Sequence, residues 1–553
     1  MKNPILAIGL DATDPVFLEK WMDQGYLKNL NQLRSQGIYG RLHNTIEYNR
    51  DKTEKITNTE CLWTVFNTGC LPNKTGYWSP VKYSQENYTA TYDSIYGGYN
   101  YQEYLPFYAL PKNKRIGIFD VPLTTLCHQV QGLQVLGWGG HNFFTPRHSL
   151  PSELFAELAQ KHSQDLIYQK DTGIWWDKKY QKWLPEALKT NIARRSAICQ
   201  DLLSRESWDL FLTVFTETHT AGHDLYNRSQ PDHPLYSTSK QDYGSSDVML
   251  EVYQQIDHEI GEIISQVSEN THILIFSVHG MEINNDDLFG MLFLPELMYR
   301  LSFPGKTAIA PGHINTPPPA MITHPVRHSW LGEVWARNTP ENWAQKLFGS
   351  WTPTNFLHNP KNGLDCPFSL LEEEDSLAWM PTRWYQPLWH QMKAFALPVF
   401  TGGDIRLNLK GRESQGIVEL REYDQLCNQI TQYLFDLRDG RTGKPIVKDV
   451  IRTRPSPMDN DTKISDGDLA VIWHELATDV IDSPDFGRIG PVPYFRPGGH
   501  TARGFLMAKG PGITPNSTLE KGSTVDLSAT ILNLMNVPIP DYFDGKPLLN
   551  LNL

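Results

Sequence analysis

Leu210-Phe211-Leu212-Thr213-Val214-Phe215 runs directly into Thr216-Glu217-Thr218-His219-Thr220-Ala221-Gly222-His223. The first six residues form an apolar run that reads as a buried strand. Two histidines four residues apart follow its end. Open α/β folds gather their chemistry at the ends of sheet strands, so this stretch carries two imidazoles to a sheet rim. Imidazole is the commonest protein ligand for zinc-like ions. Two further runs repeat the arrangement: Ile5–Leu10 ends at Asp11, and Ile273–Val278 ends at His279-Gly280-Met281. His500, in Gly498-Gly499-His500, precedes the apolar run Phe505-Leu506-Met507-Ala508. Metal-type side chains at the ends of several apolar runs predict one shared metal site.

The rest of the chain fits that frame. Asp14 is a natural N-cap for a helix opening at Pro15, and Leu27, Leu30 and Leu33 continue an apolar face to Gly37. Ile116–Val121 reads as another short buried strand. Leu154, Phe155 and Leu158, and then Leu184, Leu188 and Ile192, are spaced for helices within 151–204. Val248 to Val267 predicts an amphipathic helix before the strand that ends at His279. Strands alternating with helices predict a three-layer α/β sandwich with a central, mostly parallel sheet. Residues 282–400 break the pattern, with a Pro-, Gly- and His-rich stretch near 304–325 and many Trp and Pro beyond it. They read as an inserted cap or lid. His313, His324 and His328 fall in this region and read as surface or wall residues. The catalytic domain is then expected over 1–281 and 401–553. Regular structure returns there with a strand at 404–409, a helix at 422–438, a strand at Leu469–Trp473 and a capped helix at 524–535. Asp404, Arg406 and the run Lys410–Glu413 read as structural ion pairs, with Arg412 a candidate anion binder.

Composition narrows the function. The chain has 553 residues and a formal net charge of −12, without a dense Lys/Arg run, which argues against a nucleic-acid partner. No apolar stretch is long enough to span a bilayer, and a cleaved signal peptide would remove Asp11, so a cytoplasmic protein is expected. The six cysteines are dispersed, which favours reduced thiols over a disulfide framework or a zinc knot.

Thr57–Gly76 reads as a hydroxyl residue opening a helix, which Thr68-Gly69 and Pro72 end. A hydroxyl at a helix N-terminus sits in a positive field beside N–H groups that can hold a phosphate-like oxyanion, and a bound metal would lower its pKa. Threonine is equally a favoured capping residue.

At this point the chain resembles the alkaline phosphatase superfamily, in its type I phosphodiesterase/nucleotide pyrophosphatase branch. Gly9-Leu10-Asp11 resembles the opening strand and first metal carboxylate, and the nucleophile falls on Thr59. Glu217–His223 matches the two-ligand segment, Ser277–Met281 the Ser-Asp-His-Gly-Met segment, and Gly499-His500 the last ligand, followed by Gly510-Pro511-Gly512. The resemblance implies a phosphoester hydrolase or phosphoryl transferase, in particular one acting on a small-molecule phosphodiester. It implies a zinc-like cofactor of one or two divalent ions, and Asp11, Thr59, His219, His223, His279 and His500 as ligands. Two positions depart from the pattern, since His219 and Val278 stand where the family carries aspartate. One site becomes three imidazoles, sound for Zn²⁺. The other keeps Asp11, Thr59 and His279 but loses a carboxylate, so it is expected to be weak or empty unless Glu217, Asp286 or Asp287 substitutes. A branch of the family shares the histidine-for-aspartate replacement and an uncharged residue before His-Gly-Met. Its Trp-Gly-x-His element falls at Trp138-Gly139-Gly140-His141. Glu60, Trp138, His141 and Asp286 are the candidate substrate-contacting residues.

The Cys/Ser-x-Pro-x-Arg sulfatase signature is missing around Thr59. No basic residue adjoins Thr59 to clamp a phosphate monoester, which favours a less charged substrate. Two different readings stay open. One is a three-histidine enzyme repurposed as a lyase or natural-product tailoring enzyme. The other is a non-catalytic metal- or ligand-binding homologue.

Overall fold

A computed structural model describes the chain apart from residues 1–2, 49–51, 56, 93–97, 140–145, 169–173, 326–328, 339–361, 400–401 and 550–553. A nine-stranded sheet forms its centre. Across the sheet the strands run Ser517–Thr518, Ile38–His43, Arg503–Lys509, His272–Ser277, Ile5–Leu10, Leu210–Phe215, Ile116–Phe119, Gly132–Leu136 and His148–Leu150. The five from His272–Ser277 to Gly132–Leu136 are mutually parallel. The expected α/β class is therefore the observed one.

The layers follow from side-chain alternation, because successive residues of a strand point to opposite faces. Leu6, Ile8, Ile273, Ile275 and Phe211 join one apolar cluster with the helices Pro15–Asp23, Lys28–Gln36, Lys178–Arg205 and Val248–Ser265. Ile5, Ala7, Leu274, Phe276, Leu210 and Leu212 join the other, with the helices Thr59–Thr68 and Val525–Leu534. Asp14 caps its helix as expected, accepting from Val16 N at 2.8 Å. Thr524 does not cap the last helix. Its hydroxyl donates instead to the Val278 carbonyl at 2.8 Å, tying that helix to the strand end that precedes His279.

A second sheet holds two of the expected strands. Asp404–Leu407 and Leu469–Trp473 are strands, but not of the central sheet. They pair with Ala394–Leu397 and Val447–Arg452 in a separate antiparallel sheet of four. Most of the apolar cluster around it lies between Leu288 and Tyr494, and Val81, Tyr88, Ala90, Trp175 and Leu235 join it from earlier in the chain. After this sheet the next strand of the central sheet is Arg503–Lys509. Among the charged residues around the four-stranded sheet, Arg406 pairs with Glu413 at 2.7 Å and Arg412 with Asp468 at 2.6 Å, all buried. Arg412 is thereby spent inside this unit and is not an anion binder. Asp404 pairs with Ser465 rather than with a cation. All six cysteines are free and buried, and no helix among the described residues is long and apolar enough to cross a membrane.

Candidate active site

Three strand ends of the central sheet and a separate two-stranded ribbon converge on one place. Asp11 follows Ile5–Leu10 and is fully buried. The strand Leu210–Phe215 passes into the helix Glu217–Ser229, so His219 and His223 sit one turn apart on one face of a helix rather than on a loop. His279 ends the strand His272–Ser277, and His500 lies on Gly498–Thr501, which pairs antiparallel with Gly280–Ile283. Gly498 lets this ribbon approach the histidine helix. A Cβ there would stand 2.1 Å from the Gly222 carbonyl oxygen.

The result is a cluster of three imidazoles. His219 Nε2 lies 3.1 Å from His500 Nε2 and 3.2 Å from His223 Nε2. His223 Nδ1 donates to the Gly498 carbonyl at 2.8 Å, which leaves its Nε2 as a lone-pair donor. Burial, and then the neighbouring His223 and His279, hold His500 well below the usual histidine range, so it too is neutral. A tetrahedral ion bound to nitrogen at about 2.0–2.1 Å needs its nitrogens roughly 3.3 Å apart. The donor type, tautomer and spacing of His219, His223 and His500 therefore fit a divalent metal of the zinc class. Among the described residues they are the one group of three or more such ligands within 4.8 Å of each other.

Thr59 stands beside them. It is the first residue of the helix Thr59–Thr68, and the cap is Asn58, whose Oδ1 accepts from Cys61 N at 2.8 Å. The capping role considered for Thr59 therefore belongs to its neighbour, and the Cys61 amide is not available to an oxyanion. Thr59 Oγ1 lies 2.5 Å from His279 Nε2, and the same nitrogen lies 3.3 Å from Asp11 Oδ1. Trp63 Nε1 donates to that carboxylate at 3.0 Å, and Thr218 Oγ1 holds the Asp11 carbonyl. The His279 and His500 rings are 4.7 Å apart, so the two groups form one site. Val278 turns its side chain into the apolar core, and its carbonyl accepts from Asn44 Nδ2 at 2.6 Å.

Two of the three proposed substitute carboxylates, Glu217 and Asp287, are engaged elsewhere. Glu217 receives Arg195 Nε at 3.0 Å on both oxygens, and Asp287 receives Asn284 Nδ2 at 2.7 Å and Arg496. Asp286 lines a cleft of about 700 Å³ together with His500, Thr57, Lys55, Lys448 and Trp473. Glu60 is buried in the first turn beside Thr59. Trp138 packs its ring against Phe119 and Phe155, which makes it a core residue rather than a substrate contact. His141 lies outside the described residues.

Sequence reading missed Arg195. It is fully buried in the helix Lys178–Arg205, and its Nη2 donates to Asp120 Oδ2 at 2.8 Å and Thr216 Oγ1 at 3.1 Å. Asp120 in turn accepts the backbone amides of Trp138 and Gly139 at 2.7 and 2.8 Å. A Cβ on Gly139 would lie 2.2 Å from Thr216 Oγ1, so the glycine is needed for this contact. Burial works against the Arg195 charge, but Glu217 and Asp120 hold it more firmly protonated than usual. The signal was present: Leu188, Ile192, Arg195, Cys199 and Leu202 follow a three-four spacing that puts the arginine on the apolar face.

Among curated proteins, no sequence matches the chain. Similar solved structures include wild-type alkaline phosphatase PafA, 11% identical over 99% of this chain and 98% of that one, with a TM-score of 0.51. Murine ectonucleotide pyrophosphatase/phosphodiesterase 5 is 12% identical over 97% and 96%, with a TM-score of 0.46. Phosphonoacetate hydrolase from Sinorhizobium meliloti 1021 is 10% identical over 97% and 96%, at 0.43. The first of these shares the fold. The sequence profile of the type I phosphodiesterase/nucleotide pyrophosphatase family matches residues 5–300, more than half of the chain, and the protein belongs to that family.

Proposed function

We propose that the protein is a metal-dependent phosphodiester hydrolase or phosphoryl transferase with Thr59 as nucleophile. The observation that carries this reading is the 2.5 Å contact of Thr59 Oγ1 with His279 Nε2 beside the three-histidine cluster. His219, His223 and His500 would hold one divalent ion, which when bound supplies Lewis-acid neutralisation of phosphoryl oxygens. Thr59 Oγ1 attacks phosphorus while its proton passes along the hydrogen bond to His279 Nε2. Asp11 Oδ1, fixed by Trp63, steadies the imidazole as it gains charge. The positive end of the helix Thr59–Thr68 faces the charge that develops on phosphorus. A water or an acceptor alcohol then releases the phosphorylated threonine.

The cleft favours a diester. Of the four Lys and Arg side chains on the cleft, Arg503 is taken by Asp14 and Glu282 and Lys55 by Glu475, and Lys444 and Lys448 are the cations that would face a substrate. A singly charged diester suits such a wall better than a dianionic monoester. The test is a comparison of bis(4-nitrophenyl) phosphate with 4-nitrophenyl phosphate. We expect the higher kcat/KM for the diester, and a loss of at least about 10³-fold in Thr59→Ala with metal content retained. Turnover indifferent to Thr59→Ala would overturn the reading in favour of a repurposed metal enzyme. Metal binding without turnover of any phosphoester would leave a binding protein.

A further inference from the structure

Asp286 has no part in the reaction as drawn so far, yet it faces the cleft. It stands in the turn after the strand Gly280–Ile283, where the chain leaves for the cap, and is only 7% exposed. Two carboxyl groups flank it, and each has its own cation. Arg503 Nη2 donates to Glu282 at 2.7 Å, and Arg496 Nη2 to Asp287 at 3.3 Å. Asn285 and Asn284 add a side-chain N–H to each. Three carboxyl groups thus share two arginines, and Asp286 is the one left over. Its Oδ1 has no hydrogen-bond partner among the described residues.

An ionised carboxylate in that position would be buried beside two others with only a backbone N–H donor of its own residue and no donor on Oδ1, a state that favours keeping the proton. Burial, followed by the charges of Asp287 and Glu282, pushes Asp286 well above the usual carboxylate range, and Arg496 only partly offsets them. The other carboxyl groups on the cleft have cations: burial raises Glu282 too, but Arg503 holds it at 2.7 Å, and Glu475 holds Lys55 at 2.5 Å. The side of the four-stranded sheet also brings Lys444, Lys448 and His474 to the cleft, and the other side His43 and His500. Asp286 is therefore a neutral O–H donor on a wall that also carries His500 and Thr57. It also lies outside the three-ligand cluster, so a proton is its asset rather than a metal.

We propose that Asp286 is the acid of the reaction and that its carboxyl proton passes to the oxygen that leaves phosphorus. This rests on the phosphoester reading above. The bond from Thr59 Oγ to phosphorus forms as the bond from phosphorus to the leaving oxygen breaks. The leaving oxygen keeps the electron pair and takes the Asp286 proton to depart as an alcohol. The Thr59 proton leaves along its contact with His279. In the second half, water attacks phosphorus and returns a proton to Asp286, while Thr59 recovers its own. An acid is needed most where the leaving group is a poor one, such as an alkoxide, and least for a nitrophenolate.

The experiment compares wild type with Asp286→Asn on methyl 4-nitrophenyl phosphate and on a dialkyl phosphate, with metal content measured in both proteins. Loss of the acid should slow release of the alkoxide about 10²–10³-fold and release of the nitrophenolate far less, so the ratio of the two rates rises by about 10². The nitrophenyl rate also reports that the variant is folded. An infrared difference spectrum at neutral pH should show a protonated carboxyl band in wild type that Asp286→Asn lacks. Equal slowing of both substrates, absence of that band, or loss of bound metal in the variant would each overturn the assignment. A wild type that turns over no phosphoester would instead sink the functional reading on which the assignment stands.

Discussion

Replacing Arg195 with methionine tests the buried network behind the histidine helix. The guanidinium is fully buried and makes contacts to Glu217 at 3.0 Å, Asp120 at 2.8 Å and Thr216 at 3.1 Å. Its removal leaves two carboxylates buried without their cation. Asp120 keeps the Trp138 and Gly139 amides, but Glu217 loses both contacts from Arg195 Nε. Breaking a buried pair in this way costs about 3–5 kcal/mol. Replacing the charges together is another matter, because well-packed apolar residues of similar volume are often neutral or better. Arg195→Met with Glu217→Leu and Asp120→Asn should therefore recover part of the loss, since the asparagine can still accept one of the two amides that Asp120 accepts. Urea-denaturation midpoints of the single and triple variants measure both effects. A second readout separates positioning from bulk stability. Glu217 opens the helix that presents His219 and His223, so Arg195→Met should weaken zinc binding about 10–100-fold, in the range seen when outer-shell partners of metal ligands are removed. A single variant that loses less than about 1 kcal/mol, or a triple variant no more stable than the single, would refute the argument.

Three further outcomes follow from the site and its surroundings. Elemental analysis of the purified protein should find nearer one divalent ion per chain than two, and His219→Ala should remove it; an unchanged content would contradict the ligand assignment. Val278→Asp should lower the melting temperature of the metal-free protein, because the side chain points into the apolar core. Added zinc should recover that loss by more than it stabilises wild type, and no such gain would show that Val278 is not a ligand position. His233 is buried between the Pro497 carbonyl and the Leu235 amide, and burial depresses it to about 3. A depressed pKa gives stability that is present above about pH 6.5 and lost as pH falls towards 3. Between pH 7 and pH 5 this one residue should cost the fold about 2 kcal/mol, and denaturation curves of His233→Gln at the two pH values should show a shallower fall.

The main sheet was legible because its information is local. Ile5–Leu10, Leu210–Phe215 and His272–Ser277 are apolar runs that end in ligand-type residues, and the end of each strand is also the edge of the site. The four-stranded sheet was not legible in the same way. The alternation in Asp404–Leu407 marks a strand correctly, but nothing in a strand's own residues says which sheet it joins. That is decided by its pairing with Leu469, more than sixty residues away. Side-chain diversion was equally hidden. Thr524 reads as a cap for its own helix and spends its hydroxyl on Val278, while Glu217 reads as a spare ligand and is held by an arginine from another helix.

The altered ligands change the charge at the site as well as the count. A site built on aspartates meets a bound cation with several negative charges, whereas His219, His223 and His500 bring none and Val278 removes another. Asp11 is then the main carboxylate near Thr59. A single divalent ion on neutral ligands keeps most of its positive charge for the substrate, which strengthens its pull on a phosphoryl oxygen. On the proposed one-ion reading, the same arrangement would give up the second ion that could neutralise a leaving alkoxide. A protein that makes this exchange has to find the leaving group a proton elsewhere. Asp286, buried among carboxylates on the same cleft, is the residue whose surroundings keep one available. The single-ion count and the leaving-group dependence are therefore linked. A protein with two tightly held ions should show little effect of Asp286→Asn on poor leaving groups, and a protein with one should show the full effect. Measuring both on the same preparation decides between them.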